Sequence, residues 1–304
     1  MIVKVVINLE IRFNEPALTV KEHASRRRRS PLWQRFRRNK LAVLGATIVL
    51  ILVLLAIFAP ILSPYPYQEA NFGATYQDPS FAHWFGTDSL GRDMLTRILW
   101  GMRNAFTVGF GAEVVELTLG LLLGAVAGYM GGLTDNVLMR FVDIVYAFPS
   151  LLFSIILIVL LGHSILTILI AVAATSWVGM ARVVRSQVIK IRQTGYIEAA
   201  RGMGASTWTI IRRQVLPNSM GPIVVAVSFG IPANMTIEAG LSVLGLGIQP
   251  PTPDLGELII EGQQAVFSYP YLLIGPTVIF ALALIGFVFL GDGFRDIFNT
   301  KSKR

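Results

Sequence analysis

Few residues in this sequence have the type and spacing needed to break bonds. It contains no cysteine, which excludes thiolate catalysis and Cys-based metal sites. His23, His83 and His163 lie too far apart in sequence to show metal-ligand spacing. Ser154 and Ser176 have no base at a spacing that would activate them, and no phosphate-binding, zinc-protease or nucleophile-elbow motif is present. We therefore predict no catalytic residue, no metal and no bound cofactor, and an intramembrane enzyme is disfavoured.

The most distinctive polar stretch is the interval 182–217, which we predict to be a loop between membrane spans. It holds seven basic side chains against one acid, Glu198. The basic residues are Arg182, Arg185, Lys190, Arg192, Arg201, Arg212 and Arg213. A basic loop between spans belongs on the cytoplasmic side of a membrane. We interpret it as the place where another protein acts on this one.

Composition indicates a protein that lies mostly within a membrane. Of its 304 residues, 54% are hydrophobic and 14% are charged, whereas a soluble domain carries about 25% charged residues. The formal net charge is +8. Because the basic residues cluster beside apolar runs, the charge fits a topology signal better than nucleic-acid binding.

Six apolar segments predict an all-α membrane protein with six transmembrane helices. They cover about 41–62, 105–129, 141–161, 165–181, 220–239 and 271–290. With both termini in the cytoplasm, 23 of the 26 Lys and Arg residues fall on the inside. In chain order, the predicted parts begin with a basic tail 1–40, a first helix 41–62 and an extracytoplasmic segment 63–104. They continue with a five-helix core 105–290, which contains the loop 182–217, and a cytoplasmic tail 291–304.

Local signals predict where these helices begin and end. Thr87 or Asp88 is placed to cap a short helix that runs through Trp100. Pro149 is expected to kink the third span or open its first turns. Gly230 and Pro232 are expected to interrupt the fifth. The segment 240–253 is rich in Gly and Pro and resembles a re-entrant or mouth-lining stretch.

The second predicted span contains two acids, Glu113 and Glu116, on one helical face. Buried carboxylates are costly unless they are paired or wetted. We favour a position facing other helices or the interface, and a pathway or proton site is the alternative. In the same span Gly120, Gly124 and Gly128 form a small-residue stripe suited to close helix packing.

At the basic loop the sequence resembles a known family, the permeases of binding-protein-dependent ABC importers. Glu198-Ala199-Ala200, followed by Gly204 and then Gln214-Val215-Leu216-Pro217, is similar to their "EAA" signature. The wider resemblance, from Ser30 onward, is to the C-type permease of the dipeptide, oligopeptide and nickel branch. It rests on these further motifs: Phe36-Arg37-Arg38-Asn39-Lys40-Leu41, residues Phe85 to Asp93, Ala127-Gly128-Tyr129-Met130-Gly131-Gly132, and residues Leu244 to Pro253.

The sequence departs from the family pattern at a few positions. Gln214 stands where Ile or His is usual, and Asp254-Leu255 stands where Ser-Trp is frequent. Glu113 and Glu116 occupy a typically apolar span. The first 25 or so residues match no known pattern.

The resemblance implies type I ABC importer architecture, with the loop forming a short coupling helix that docks on an ATPase subunit. Ala199 and Ala200 would permit close approach, and Gly202 and Gly204 a sharp turn. Glu198 and Arg201 would make polar contacts at the rim of the docking groove. At the end of the loop, Leu216 and Pro217 complete the signature, and Pro217 is expected to stop the helix before the next span.

The resemblance also implies partners and a location. The expected partners are a homologous B-type permease, two ABC ATPase subunits that bind ATP and Mg, an extracytoplasmic binding protein and membrane lipids, with no nucleic acid. The expected location is a bacterial or archaeal cytoplasmic membrane. Di- or oligopeptides are the expected substrate, with nickel or glutathione as alternatives. A stand-alone secondary transporter using Glu113, Glu116 or Glu238 is a further alternative.

Two more groups of residues are candidates for contact with substrate or partners. We predict that Asn234, Met235 and Glu238 help line the pore, because they lie near the polar interruptions of the fifth span. We predict binding-protein docking on two outside segments. The docking candidates are Asp88, Arg92, Asp93, Gln249, Pro250 and Pro251.

Overall fold

The computed structural model describes residues 32–298, and over this range the chain is helical apart from connecting loops and one isolated bridge. Residues 1–31 of the predicted tail 1–40, including the Arg run at 26–29, and residues 299–304 of the predicted tail 291–304 lie outside the described residues. The helices are, in chain order, α1 Leu32–Arg38, α2 Lys40–Ile57, α3 Ala59–Leu62, α4 Met94–Met130, α5 Gly132–Tyr146, α6 Ser150–Leu161, α7 Ile165–Arg192, α8 Gly195–Gly202, α9 Thr207–Ile210, α10 Leu216–Val243, α11 Leu255–Gln264 and α12 Tyr271–Phe298.

Five of the described helices are long and apolar enough to cross a membrane. They are α2, α4, α7, the segment Thr207–Val243 that ends in α10, and α12. The bent pair α5–α6 makes a sixth span when it is counted as one. The predicted all-α fold with six transmembrane helices is confirmed.

The second span is longer than predicted and begins at a different cap. Helix α4 has 37 residues, or about 55 Å at 1.5 Å per residue. The carboxylate of Asp93 caps it by accepting a bond of 2.8 Å from the backbone N–H of Thr96. The predicted cap at Thr87 or Asp88 is wrong, because the Asp88 carboxylate instead accepts bonds from the Leu90 and Arg92 backbones.

The third span is broken where a proline was predicted to disturb it. Helices α5 and α6 meet at an angle of 76°, with Pro149 immediately before the first residue of α6. Proline has no backbone N–H and disfavours helical geometry in the residue before it. The connection between the predicted spans 105–129 and 141–161 is mostly helix α5, which begins after Gly131 in a left-handed conformation with φ 67°.

The other prolines do not interrupt the chain as predicted. Helix α10 runs without a break through Gly230 and Pro232. Pro217 does not stop a helix either, because it lies in the first turn of α10, where no N–H is required. A five-residue π-helical turn, Ile211–Val215, joins α9 to α10. Residues 244–254 form the non-helical connection that precedes α11.

Two apolar clusters define the two ends of the bundle. One joins α2, α4, α10, α11 and α12 around Met102, Met235 and Phe287. The second joins the C-terminal part of α4 to α7, α8 and α10 around Val184, Ile197 and Val215. We call the end that carries α8 the basic end, and the end that carries residues 63–93 and α11 the opposite end.

The predicted glycine stripe on α4 is the contact surface for α7. A Cβ atom added at Gly120 would lie 2.4 Å from Cγ of Met180. One added at Gly124 would lie 2.5 Å from the Ala181 carbonyl oxygen, and one at Gly128 would lie 2.8 Å from the Arg185 carbonyl oxygen. The two helix backbones therefore approach so closely that only glycine fits, as in small-residue membrane contacts.

We expect Gly124→Ala to destabilise the protein, because its methyl group would meet backbone atoms that cannot rotate away. Overpacking of this kind costs about 1–3 kcal/mol. Gly179→Ala is the matched control, since Gly179 is also helical and has nothing within 4 Å of an added Cβ. Thermal unfolding in detergent should show a lower midpoint for Gly124→Ala only, and equal midpoints would contradict the close contact.

Candidate coupling site

Helix α8 is a short element whose ends are defined by the sequence. Glu198 lies in its first turn and Arg201 in its last, which suits the helix dipole. Gly204 ends it in the left-handed region with φ 82°. The backbone N–H of Gly204 donates to the Arg201 carbonyl and that of Ala205 to the Ala200 carbonyl, which is the glycine-terminated pattern common at helix C-termini.

One face of α8 packs on its own chain and the other is open. Ile197 and Ala200 are buried in the cluster at the basic end. Glu198 and Ala199 are exposed. Tyr196 is 48% exposed and Met203 is 82% exposed. The two alanines therefore differ: Ala200 allows α8 to approach its own bundle, and only Ala199 lies on the open face where we predicted a partner.

Side chains near α8 tie it and its neighbours together. The Arg201 Nε atom lies 3.2 Å from the Tyr129 hydroxyl oxygen, and its guanidinium lies 5.0 Å from the centroid of that ring. Arg185 of α7 makes two bonds to the Asp135 carboxylate of α5, at 2.5 and 2.6 Å. Neither Tyr129 nor Asp135 was predicted from the sequence to anchor a helix. The only signal for Tyr129 in the sequence was its position at the end of the predicted span 105–129.

The remaining residues of the signature lie close to α8 but play different parts. Gly202 is the last residue of α8 and has nothing within 4 Å of an added Cβ. Leu216 is half-buried and Pro217 is exposed. A force on the open face of α8 would reach α4 through Tyr129 and α10 through the π-helical turn. This arrangement can transmit motion, and it places no nucleophile beside a base.

The residues predicted to line the pore are buried between helices of this chain. Met235 packs on Gly109 of α4, where an added Cβ would lie 2.7 Å from the Met235 Cγ. Glu238 is fully buried, and neither of its carboxyl oxygens has a hydrogen-bond donor among residues 32–298. Asn234 contacts Glu116 and Ser176. In this conformation Met235 and Glu238 have no exposed surface.

Three of the predicted docking residues are buried at the opposite end, where Asp88 and Arg92 belong to one ion-pair network and Asp93 pairs with His83. Asp88, Arg92 and Asp93 are at most 5% exposed. The Asp88 Oδ2 atom accepts bonds of 2.6 Å from Arg92 and from Arg97. Because these charges have partners within the chain, the three side chains present little surface to a binding protein in this conformation, and their role in docking stays a prediction. Gln249, Pro250 and Pro251 are exposed.

Arg97 and Glu261 complete this network, and neither was predicted from the sequence to form an ion pair. Arg97 is 1% exposed and bonds the Glu261 carboxylate of α11 at 2.6 Å. The network therefore joins the segment before α4 to α11, although the two are distant in sequence. The signal available in the sequence was that Arg97 is a basic residue on the predicted outer side, where basic residues are scarce.

The stability of this end of the molecule is expected to depend on pH through Glu257 of α11. Burial, together with the neighbouring Glu261 carboxylate, raises the pKa of Glu257 to about 7. The folded state therefore holds this proton more tightly than the unfolded chain, so its stabilising contribution is complete below about pH 4 and is lost as pH rises through 7. Glu257→Gln should weaken the decline in unfolding midpoint between pH 5 and pH 8. An unchanged slope would contradict the raised pKa.

Comparison with known proteins identifies the family. Residues 120–304 match the model described as "Binding-protein-dependent transport system inner membrane component". Residues 30–79 match "N-terminal TM domain of oligopeptide transport permease C".

Among the relatives is the oligopeptide transport system permease protein OppC of Bacillus subtilis. It is 39% identical over 277 residues, which cover 90% of this chain and 91% of that protein. The dipeptide transport system permease protein DppC of the same organism is 40% identical, over 90% of this chain and 85% of that protein. The glutathione transport system permease protein GsiD of Pectobacterium atrosepticum is 39% identical, over 89% of this chain and 90% of that protein.

Solved structures share the fold at low sequence identity. An inward-facing structure of the MetNI methionine ABC transporter has a TM-score of 0.52 and 22% identity, covering 67% of this chain and 95% of that one. A structure of an amino acid ABC transporter has the same TM-score and 18% identity, covering 66% of this chain and 94% of that one. With six spans, a short helix with an open face and these relatives, the chain belongs to the family of inner-membrane components of binding-protein-dependent transport systems.

Proposed function

We propose that this chain is the C-type permease subunit of an ATP-driven importer of di- or oligopeptides in a bacterial or archaeal cytoplasmic membrane. It forms one pore with a homologous B-type permease. ATP and Mg bind to two separate ATPase subunits, and an extracytoplasmic binding protein delivers the substrate. The observation that carries the proposal is the open face of α8, a short helix that is anchored to the long spans. The chain that presents this face is about 40% identical to oligopeptide and dipeptide permeases.

The mechanism follows from how α8 is anchored. Closure of the ATPase pair would push on the open face carrying Tyr196, Ala199 and Met203. Because α8 is packed on α4 and α7, its displacement would tilt these spans as rigid bodies between inward-open and outward-open forms. The surface around Gln249, Pro250 and Pro251 is our candidate for contact with the binding protein.

The proposed substrate class has specific alternatives. Glutathione is the second candidate, because a glutathione permease is as similar to this chain as the oligopeptide permease is. A nickel importer of the same branch is a third. A stand-alone secondary transporter is disfavoured, since it would leave the open face of α8 without a role.

Purification of the chain with its partners tests the proposal. We expect ATPase subunits to copurify, and ATP hydrolysis in liposomes to rise when a binding protein loaded with peptide is added. Parallel assays with glutathione and Ni²⁺ identify the substrate class. Substrate uptake by this chain in the absence of any ATPase subunit would overturn the proposal.

A further inference from the structure

Two carboxyl groups lie near the middle of α4 without a basic partner. Glu113 and Glu116 are the twentieth and twenty-third residues of the 37-residue helix. They are 3% and 8% exposed. Within residues 32–298 no Lys, Arg or His forms an ion pair with either of them. Ionised acids at membrane depth are costly unless a partner neutralises them, so within this part of the chain the pair favours its neutral form until a cation arrives.

Glu113 is held against α10, with its carboxyl group beside that of Glu116. A Cβ atom added at Gly230 would lie 2.0 Å from Glu113 Oε2, so the carboxyl group occupies the space that a side chain would fill. Neither oxygen accepts a hydrogen bond from a donor in the described part of the chain. A buried acceptor left without a donor is unfavourable, and the groove in α10 at Gly230 is what admits the carboxyl group.

A line of polar side chains connects this acid pair to a cleft. The Asn234 amide nitrogen lies 3.4 Å from Glu116 Oε2. The Ser176 hydroxyl lies 3.0 Å from the Asn234 amide oxygen and can donate to it. Ser176 also lines a cleft of about 340 Å³ between the α5–α6 bend, α7 and α10. The Thr175 hydroxyl, in the same lining, has no hydrogen-bond partner in the structure.

The cleft has the size and the chemistry of a subsite for a small polar group. Ligand pockets are mostly apolar with a few well-placed polar groups and begin at about 300 Å³. Here the apolar lining includes Val145, Phe148 and Ile237, and the polar lining includes Ser150 of α6 and Thr175 and Ser176 of α7. Asn234 lies between Ser176 and Glu116, so a charge on Glu116 would polarise the Asn234 amide and, through it, the Ser176 hydroxyl at the cleft.

We propose that the cleft and the Ser176–Asn234–Glu116 line form a station within the membrane that receives the ammonium group at the amino terminus of the transported peptide. Glu116 supplies the negative charge through Asn234, Glu113 reinforces it from one turn away, and the Ser176 oxygen accepts an ammonium hydrogen. Contacts in the station replace the hydrogen bonds to water that the charged end of the peptide loses as it passes through the membrane. This inference rests on the proposed function and adds a binding site for one chemical group of the substrate.

The test uses the complete reconstituted importer with saturating binding protein, preloaded either with a peptide or with the same peptide acetylated at its amino terminus. Peptide content of the loaded binding protein is measured first, so that delivery is equal. We expect Glu116→Gln to lower the maximal uptake rate of the free-amine peptide about tenfold, because the line through Asn234 and Ser176 loses the negative charge that polarises it. Uptake of the acetylated peptide should be unchanged, and Glu116→Asp should restore much of the preference for the amine.

Thr118→Val is the matched control on α4. Thr118 is exposed and two residues from Glu116, hence on the opposite face, and its hydroxyl bonds only the Val114 carbonyl. It should leave both rates unchanged.

An infrared difference spectrum of the complex provides a second measurement. Arrival of the free-amine peptide should reduce the band of protonated carboxyl groups, and the Glu116→Gln complex should lack this change. Equal loss of both peptides' uptake in Glu116→Gln, or no spectral change in wild type, would overturn the station. Absence of any ATP-dependent uptake by the wild-type complex would instead refute the proposed function.

Discussion

Replacing Gly204 by valine is expected to abolish coupled transport while leaving the complex assembled. Gly204 holds φ at 82°, a left-handed conformation that costs an L-residue about 1–2 kcal/mol and a β-branched residue more. Nothing lies within 4 Å of an added Cβ, so the effect acts on the backbone and not through a clash within the chain. The chain would leave α8 in a different direction, so the open face would meet its partner at a different angle and transmit less of the partner's movement.

Uptake and ATP hydrolysis by the reconstituted complex measure this effect. We expect peptide uptake to fall at least tenfold while basal hydrolysis and copurification of the subunits remain. Gly195→Val is the matched control, because Gly195 begins the same helix, lacks a positive φ and also has no atom within 4 Å of an added Cβ. Wild-type uptake in Gly204→Val would show that the geometry at the end of α8 does not matter for coupling.

Arg97→Met is expected to have the largest effect on stability. The guanidinium is 1% exposed and bonds Asp88 and Glu261 at 2.6 Å each. Removal of one partner of a buried ion pair costs about 3–5 kcal/mol, and we expect the lower end of this range, because Asp88 keeps its bond to Arg92 and the Glu261 side chain is 36% exposed. The segment before α4 and helix α11 would then lose their strongest link.

Chemical unfolding in detergent, followed at these two elements, measures the loss. Arg103→Met is the matched control, since Arg103 is half-exposed on the same helix and interacts with the Trp100 ring at 5.1 Å. Its removal is expected to cost no more than about 1 kcal/mol. Equal losses in the two variants would mean that the network does not stabilise the opposite end.

Asp88 and Arg92 show that the sequence of a motif does not reveal whether its charged side chains are exposed or buried. Their charges, in a segment predicted to lie outside, indicated a surface for a partner. The structure instead pairs them with each other and with Arg97 and Glu261. Ion pairing across 164 positions of sequence, as between Arg97 and Glu261, leaves no local signature, so burial of these residues could not be predicted.

The prolines show the same limit within single helices. Pro149 and Pro232 are chemically identical, and both were expected to disturb a span. The chain breaks by 76° at Pro149 and stays helical at Pro232. A missing N–H weakens a helix at either position, and α10 is packed against α4, α7, α11 and α12, which holds it in one line. The outcome depends on neighbours supplied by distant parts of the chain.

By itself the sequence determined the number of spans, the glycine face of α4 and the position of the short helix with its terminal Gly204. These features arise from hydrophobic length, side-chain size and backbone freedom, all of which act over a few turns. Only the tertiary structure decided that Ala200 faces inward, that Arg97 is a buried anchor and that Glu116 lies beside Asn234. Such contacts depend on how distant helices pack, and the free energy of burying each group is defined only once its neighbours are in place.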